Sequence, residues 1–289
     1  MILLGFSDYR PQGEALATAL GIPFALVDVH RFPDGESKLT LPEKLPETAI
    51  LCRSLDHPND KLIELLLAAQ TAREQGVKYL TLVAPYLCYM RQDIAFHPGE
   101  AVSQRIIGTF LAGLFDKVIT VDPHLHRIDR LEQAIPGREA IALGTAEVMG
   151  EFLRRNTTRP LLVGPDGESE QWVRAIAEPA GLDYAVASKE RLGDREVRIA
   201  LPDHDYKQHE VILIDDMIST GRTLINVTRQ LKRQGAGVVH CLVTHALFSD
   251  DVTQALHEAG IENIWSSDSI PHPTNAVSLT NLLAAAISD

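Results

Sequence analysis

At 289 residues, with 39 acidic against 27 basic side chains and a formal charge of −12, the chain is long enough for two α/β domains with cores of their own. The same charge makes nucleic acid an unfavourable main partner. No apolar run nears the ~20 residues that cross a bilayer, and the opening MILLGFSDYR has no basic stretch ahead of an apolar one, so neither a membrane partner nor a signal peptide is expected. Cys52, Cys88 and Cys241 are widely spaced without a CxxC pair, which argues against a disulfide framework or thiolate zinc site and fits a reducing cytoplasm.

Apolar runs alternate with helical repeats from the start: strands at Ile2 to Phe6, Ala25 to His30, Ala49 to Cys52 and Tyr79 to Pro85, with helices at Gly13 to Leu20 and Asp60 to Gln75. Asn59 or Asp60 is the expected N-cap of the second helix, whose Leu62, Leu65, Leu66 and Ala69 share a face. A further strand, Lys117 to Val121, precedes a break at Pro136 and Gly137, and a second series opens near Ile141. It continues with helix Thr145 to Arg155, strand Pro160 to Val163, helix Glu168 to Ala180 and strands from Asp183, Val211, Val238 and Ile264, ending in a short helix, Ser278 to Ile287. Such alternation predicts an α/β fold of two similar domains, 1–141 and 142–289, each a mainly parallel sheet flanked by helices.

The most informative stretch is VILIDDMISTGRTL, Val211 to Leu224: a buried strand over Val211 to Ile214, two carboxylates closing it, a hydroxyl- and glycine-containing turn, then a helix with Leu224, Val227 and Leu231 on one face. Loop N–H groups and the helix N-terminus suit a phosphate, with Ser219, Thr220 and Thr223 adding hydroxyls and Gly221 allowing close approach. Asp215 and Asp216 repel phosphate but suit vicinal ribose hydroxyls or a divalent cation. Taken alone, the same pattern also reads as an ordinary strand-to-helix turn capped by an Asp.

Five other stretches place polar residues at strand ends. RFPDGE, Arg31 to Glu36, is a tight turn, either a plain surface hairpin or a place where Phe32 stacks on a base while Asp34 and Glu36 accept from its amine. PYLCYMRQD puts Arg91 and Gln92 beyond a buried strand, where the guanidinium suits a polyphosphate or a simple salt bridge. DPHLH offers His124 and His126, and GPDGE offers Asp166 as an N-cap or a magnesium ligand. SKERLGDREVR, Ser188 to Arg198, lacks an apolar period and is expected to be a solvated mobile loop, from which Lys189 and Arg191 can swing onto a phosphate.

RFPDGE, PNDKLIELL, APYLCYMRQD, TVDPHLH, GPD, the Lys-x-Arg segment and IDDMISTGRTL stand in the order and spacing of the ribose-phosphate pyrophosphokinases, the PRPP synthetases, and the chain resembles that family over nearly its whole length. The compact, archaeal-like class is the nearer one. The resemblance implies transfer of pyrophosphate from MgATP to the 1-hydroxyl of ribose 5-phosphate, giving PRPP and AMP, on two phosphoribosyltransferase-like domains. It implies that Phe32, Asp34 and Glu36 contact adenine from a neighbouring subunit, so that the protein is at least a dimer. It also implies that Arg91 and Gln92 contact ATP, that His124 and Asp166 bind Mg²⁺, and that Asp215, Asp216, Ser219, Thr220, Gly221, Arg222 and Thr223 form the ribose 5-phosphate site. Lys189 and Arg191 match the catalytic basic residues.

Three departures stand out: IAFHPGEAVS at Ile94 to Ser103 where regulated members carry a Ser-Arg-x-Pro-type segment, Glu190 where a second basic residue is frequent, and Glu168 beside Asp166. Two other classes fit parts of the pattern. One is a non-catalytic relative that binds nucleotide or PRPP, the other a type I phosphoribosyltransferase, which shares only the last motif and for which no base-binding hood is apparent.

Overall fold

The alternating runs fold into a βα series that is written twice. The computed structural model describes residues 1–191 and 197–288, and for 189–191 and 197–199 the backbone alone. The first series comprises β1 (Ile2–Gly5), α1 (Arg10–Leu20), β2 (Phe24–Leu26), β3 (Asp28–Arg31), β4 (Ser37–Thr40), β5 (Thr48–Cys52), α2 (Pro58–Glu74), β6 (Tyr79–Val83), α3 (Ser103–Leu114), β7 (Lys117–Val121) and β8 (Glu139–Leu143). The second comprises α4 (Ala146–Asn156), β9 (Pro160–Gly164), α5 (Glu170–Ala180), β10 (Asp183–Val186), β11 (Ser188–Arg191), β12 (Val197–Ala200), β13 (Glu210–Ile218), α6 (Arg222–Arg233), β14 (Val239–Ala246), α7 (Asp250–Ala259), β15 (Ile264–Ser267), β16 (Asn275–Val277) and α8 (Thr280–Ser288).

Each series builds a six-stranded sheet, in the order β2-β1-β5-β6-β7-β8 and β10-β9-β13-β14-β15-β16. All strand pairs within the two sheets are parallel. Each series also carries a two-stranded antiparallel ribbon at the same place in its order, β3–β4 and β11–β12. The central strands are buried on both faces, Leu51, Leu82, Val118, Leu213 and Leu242 among them. Leu4, Leu65, Leu80 and Phe115 belong to the first core. In the second unit Val163, Leu213 and Val227 fill one face of the sheet, and Leu162, Ile176 and Ile212 the other.

The chain divides into residues 1–144, 269–271 and 280–289 as one compact unit and 145–268 with 272–279 as the other. This departs from a division into 1–141 and 142–289 in the last helix: α8 buries Leu283 and Ala286 and packs on α1 of the first unit, while α4 packs on α5 of the second. The strand expected to open the second series is likewise the last of the first sheet. Residues Glu139 to Leu143 pair in register with Lys117 to Val121.

Other boundaries shift for local reasons. The single strand expected over Ala25 to His30 is two: β2 lies in the main sheet and β3 turns away to pair with β4. His57, not Asn59 or Asp60, caps α2, in a left-handed conformation with φ 46°, and Pro58 takes the first helical position. Part of the segment read as a mobile loop is a ribbon, with Ser188 opposite Ala200 and Arg191 opposite Val197. All three cysteines are buried, and burial pushes the Cys52 and Cys88 thiols up to about 12, so they are protonated, unreactive core residues at neutral pH.

Candidate active site

In the second unit the acidic pair does not end its strand. β13 runs on to Ile218 because β14 is nearly as long and supplies partners: Asp215 pairs with Val243, Met217 with His245 and Ile218 with Ala246. Asp216 is buried, 3% exposed, and its N–H donates to Asp215 Oδ1 at 3.0 Å. Asp166 follows the neighbouring strand β9, where it caps the next turn, its Oδ1 accepting from the N–H of Glu168 at 3.1 Å and of Ser169 at 3.3 Å. The bland reading of Asp166 as an N-cap is therefore realised, and a magnesium role must coexist with it.

Asp166, Asp215 and Asp216 are electrostatic neighbours. Burial first, then the charges of Asp216 and Asp166, hold the Asp215 carboxyl well above the usual carboxylate range. Carboxylate oxygens gathered at one strand end suit a hard divalent cation such as Mg²⁺. Among the described residues no three His, Cys, Asp or Glu side chains form a ready-made cage, so remaining ligands would be water or substrate oxygens, as Mg²⁺ prefers.

Beyond β13, Ser219 and Thr220 are exposed and Gly221 turns the chain into α6 with φ +66°. The first intrahelical bond runs from Ile225 N–H to Gly221 O at 2.9 Å, so the N–H groups of Arg222, Thr223 and Leu224 lie ahead of it, at the positive end of the helix. This arrangement suits an anion, with the Ser219, Thr220 and Thr223 hydroxyls available beside it. The strand end supplies acceptors for hydroxyls and the loop supplies donors for phosphate, so a sugar phosphate fits along one strand-to-helix turn.

Gly221 is required twice over. Its left-handed φ disfavours any L side chain, and an added Cβ would stand 2.8 Å from Val252 Cγ1 on α7. Gly221→Ala is expected to lower stability by about 1–3 kcal/mol, checked by thermal unfolding.

In the first unit the ribbon β3–β4 presents Phe32, Asp34 and Glu36 on an exposed tip, closed by Phe32 N–H to Glu36 O at 2.8 Å and Gly35 N–H to Phe32 O at 3.0 Å. The hairpin reading holds, and Phe32 is 42% exposed, available for a planar partner. Arg91 is exposed and Gln92 partly buried. Asp93 ties their segment to the loop after β7 through Arg127 Nη1 at 2.6 Å; burial pushes the Asp93 carboxyl up, but the Arg127 hydrogen bond and charge more than offset it and hold it low.

That loop carries His124, partly exposed, its ring edge-on to His126 at 4.1 Å. The first unit thus ties the segment of Arg91 and Gln92 to the loop of His124, and the second gathers Asp166 with Asp215 through Thr223. Lys189 and Arg191 have their backbone in β11, and their side chains, like that of Glu190, lie outside the described residues.

Sequence reasoning missed a buried charge network in the first unit. Arg53, at the end of β5, meets Glu64 at 2.6 Å and Asp8 at 3.1 Å, and Lys61 meets Asp8 at 3.1 Å and Asp56 at 2.7 Å. Its only signal was a pair of charges, Lys61 and Glu64, on the otherwise apolar face of PNDKLIELL.

Residues 1–114 match the family described as the N-terminal domain of ribose phosphate pyrophosphokinase, and residues 135–268 match the phosphoribosyl transferase domain family. The chain is 34% identical to the ribose-phosphate pyrophosphokinase of Methanopyrus kandleri over 100% of this chain and 99% of that one. The chain belongs to the ribose-phosphate pyrophosphokinase family. The ribose-phosphate pyrophosphokinase of Pyrococcus furiosus is 32% identical over 96% of this chain and 97% of its own. The fold matches the crystal structure of phosphoribosylpyrophosphate synthetase from Mycobacterium smegmatis, with a TM-score of 0.86 and 23% identity over 99% of this chain and 97% of that one. Full-length likeness favours the pyrophosphokinase reading over a regulator or a phosphoribosyltransferase, and the archaeal relatives are as compact as this chain.

Proposed function

We propose that the protein is a ribose-phosphate pyrophosphokinase that transfers the β,γ-pyrophosphoryl group of ATP to the 1-hydroxyl of ribose 5-phosphate, releasing AMP. The observation that carries this reading is one strand-to-helix turn with carboxylates on its strand end and an anion cradle on its helix end, in a chain alike over its full length to enzymes of that name. Asp215 and Asp216 accept from the ribose hydroxyls, and the loop from Ser219 to Thr223 holds the 5-phosphate. Arg91 and Gln92 take the ATP polyphosphate, and Phe32, Asp34 and Glu36 take the adenine.

Asp166 in the second unit and His124 in the first are each assigned as Mg²⁺ ligands, and the cation would supply charge neutralisation at the polyphosphate when bound. His124 is the less typical ligand, since carboxylate and water suit Mg²⁺ better than imidazole does. Attack on the β-phosphorus asks for alignment and charge stabilisation more than for covalent help, which is the work assigned to Arg91, Lys189 and Arg191. The exposed Phe32 tip fits delivery of adenine contacts to a second copy, hence an assembly of at least two chains. The protonated buried thiols fit the cytoplasm, and no described helix is long and apolar enough to cross a membrane.

The test is AMP release. Purified protein is expected to form AMP and PRPP, identified by mass, only when ATP, ribose 5-phosphate and Mg²⁺ are all present. Folded protein that forms no AMP under these conditions refutes the reading.

A further inference from the structure

The tip that carries Phe32 belongs to a two-stranded ribbon, and such a ribbon is marginally stable by itself in water. At its base Val29 and Leu39 lie opposite one another and pack on the first core. At its far end, the last ladder pair before the turn is Arg31 with Ser37, and both side chains reach one buried carboxylate. Glu64 Oε1 accepts from Arg31 Nη2 at 3.2 Å and from Ser37 Oγ at 3.0 Å, and Oε2 accepts from Arg53 Nη1 at 2.6 Å. Glu64 is 0% exposed on α2.

Arg53 is fixed in turn. Its Nε donates to Asp8 at 3.1 Å and its guanidinium lies 4.2 Å above the Phe6 ring. The outer flank is held more loosely, by Arg31 Nη1 and Asp60 at 3.2 Å. A buried carboxylate is retained only where its hydrogen bonds are made, and three of these hold it between a guanidinium locked in the domain and the two residues that bracket the turn. The turn itself is internally braced, so the aim of Phe32 depends on what fixes residues 31 and 37.

We propose that Glu64 is a positioning residue: it transmits the rigid Asp8–Arg53 corner of the first unit to the β3–β4 ribbon and so sets where Phe32 stands for adenine. This rests on the reading of the tip as an adenine contact. Glu64 touches no substrate. Its effect falls on the apparent affinity for ATP and leaves ribose 5-phosphate, bound by the second unit's loop, unaffected.

The test starts on the ribbon side, because Glu64→Gln also strips a buried partner from Arg53. In the full-length protein, Arg31→Gln/Ser37→Ala removes both ribbon contacts and leaves Arg53 with Glu64. Expected are faster hydrogen exchange over residues 28–40, a KM for ATP raised about tenfold or more, and a KM for ribose 5-phosphate within about twofold of the parent. Ser37→Thr, which keeps the hydroxyl, is expected to behave as the parent.

Phe32→Ala is the benchmark. If it leaves the KM for ATP unchanged, the adenine reading of the tip fails, and hydrogen exchange alone then decides whether Glu64 holds the ribbon. If Phe32→Ala raises that KM while the double variant does not, the positioning role is overturned. Unchanged exchange over residues 28–40 in the double variant overturns it as well.

Discussion

Asp215→Asn is expected to make the ligand-free protein more stable at neutral pH while nearly abolishing its use of ribose 5-phosphate. The stability half follows from the direction of one titration. Burial, Asp216 and Asp166, in that order, raise the Asp215 carboxyl above its ordinary value of 3.8. A carboxyl raised on folding takes up its proton more readily in the folded chain than in the unfolded one. Its contribution is fully present below the unfolded value and is lost as pH climbs through the folded one. Above the folded value the ionised Asp215 therefore works against folding.

Asparagine keeps an oxygen to accept the Asp216 N–H and removes the charge. A gain of about 1 kcal/mol, worth about 2–4 °C in Tm, is the expected size, and it should shrink as pH falls through the raised folded value and vanish below the ordinary value of 3.8. Mg²⁺ should raise the Tm of the parent more than that of the variant, since the cation relieves the same repulsion. The functional half has the opposite sign. Losing one charged acceptor of sugar hydroxyls costs about 1.5–3 kcal/mol, a rise of about 10–100-fold in the KM for ribose 5-phosphate. A variant with a lower Tm and an unchanged KM would remove Asp215 from the site.

The same carboxylates show what the sequence could and could not tell. Val211 to Ile214 read as a buried strand because four apolar, mostly β-branched residues in a row have few other homes, and the two Asp read as its end because charge rarely continues a buried ladder. The ladder does continue, since β14 is buried along its whole length and holds partners out to Ala246; that length was invisible until the two strands were side by side. Helix α3 went unpredicted for a related reason. Gly108 lowers helix propensity, yet any Cβ there would lie 1.8 Å from Ala134 O, so it answers a packing demand made by a loop far along the chain.

The placement of the motifs in the fold was legible where they follow a strand closely: Asp166, His124 and the loop after Ile218 do, while Arg91 lies eight residues beyond Val83. The internal symmetry was not. Two sheets of the same order share almost no local sequence pattern, because at the site corresponding to Asp215 and Asp216 the first unit carries Arg53 and Ser54 and fills the space with its own ion pairs. The fold is repeated while the Asp-Asp and Thr-Gly pattern stands only in the second copy, so a reader of sequence sees one motif and not two.

Lys189→Ala is expected to give the largest loss of rate. Pyrophosphoryl transfer shifts negative charge onto phosphate oxygens at the moment of attack, and the chain as a whole carries −12, so the compensating charge must come from a few local groups. In the proposed reading, Arg91 and the divalent cation would serve the ground state as much as the transition state. A cation carried on the β11–β12 ribbon is proposed to act mainly when the reacting oxygens are aligned. Removing it should lower kcat for AMP formation by about 100-fold or more, on the scale of other charge-stabilising donors, with the KM for ribose 5-phosphate and the Tm little changed.

Arg191→Ala should act in the same direction, and because both residues serve one developing charge their losses should not add when combined. Lys189→Arg, which keeps the charge and alters its shape, should retain more activity than either alanine. Between the two basic residues stands Glu190, not a further basic residue. A Lys189→Ala protein that forms AMP at the parental rate would take this ribbon out of the chemistry and leave a nucleotide- or PRPP-binding role for it instead.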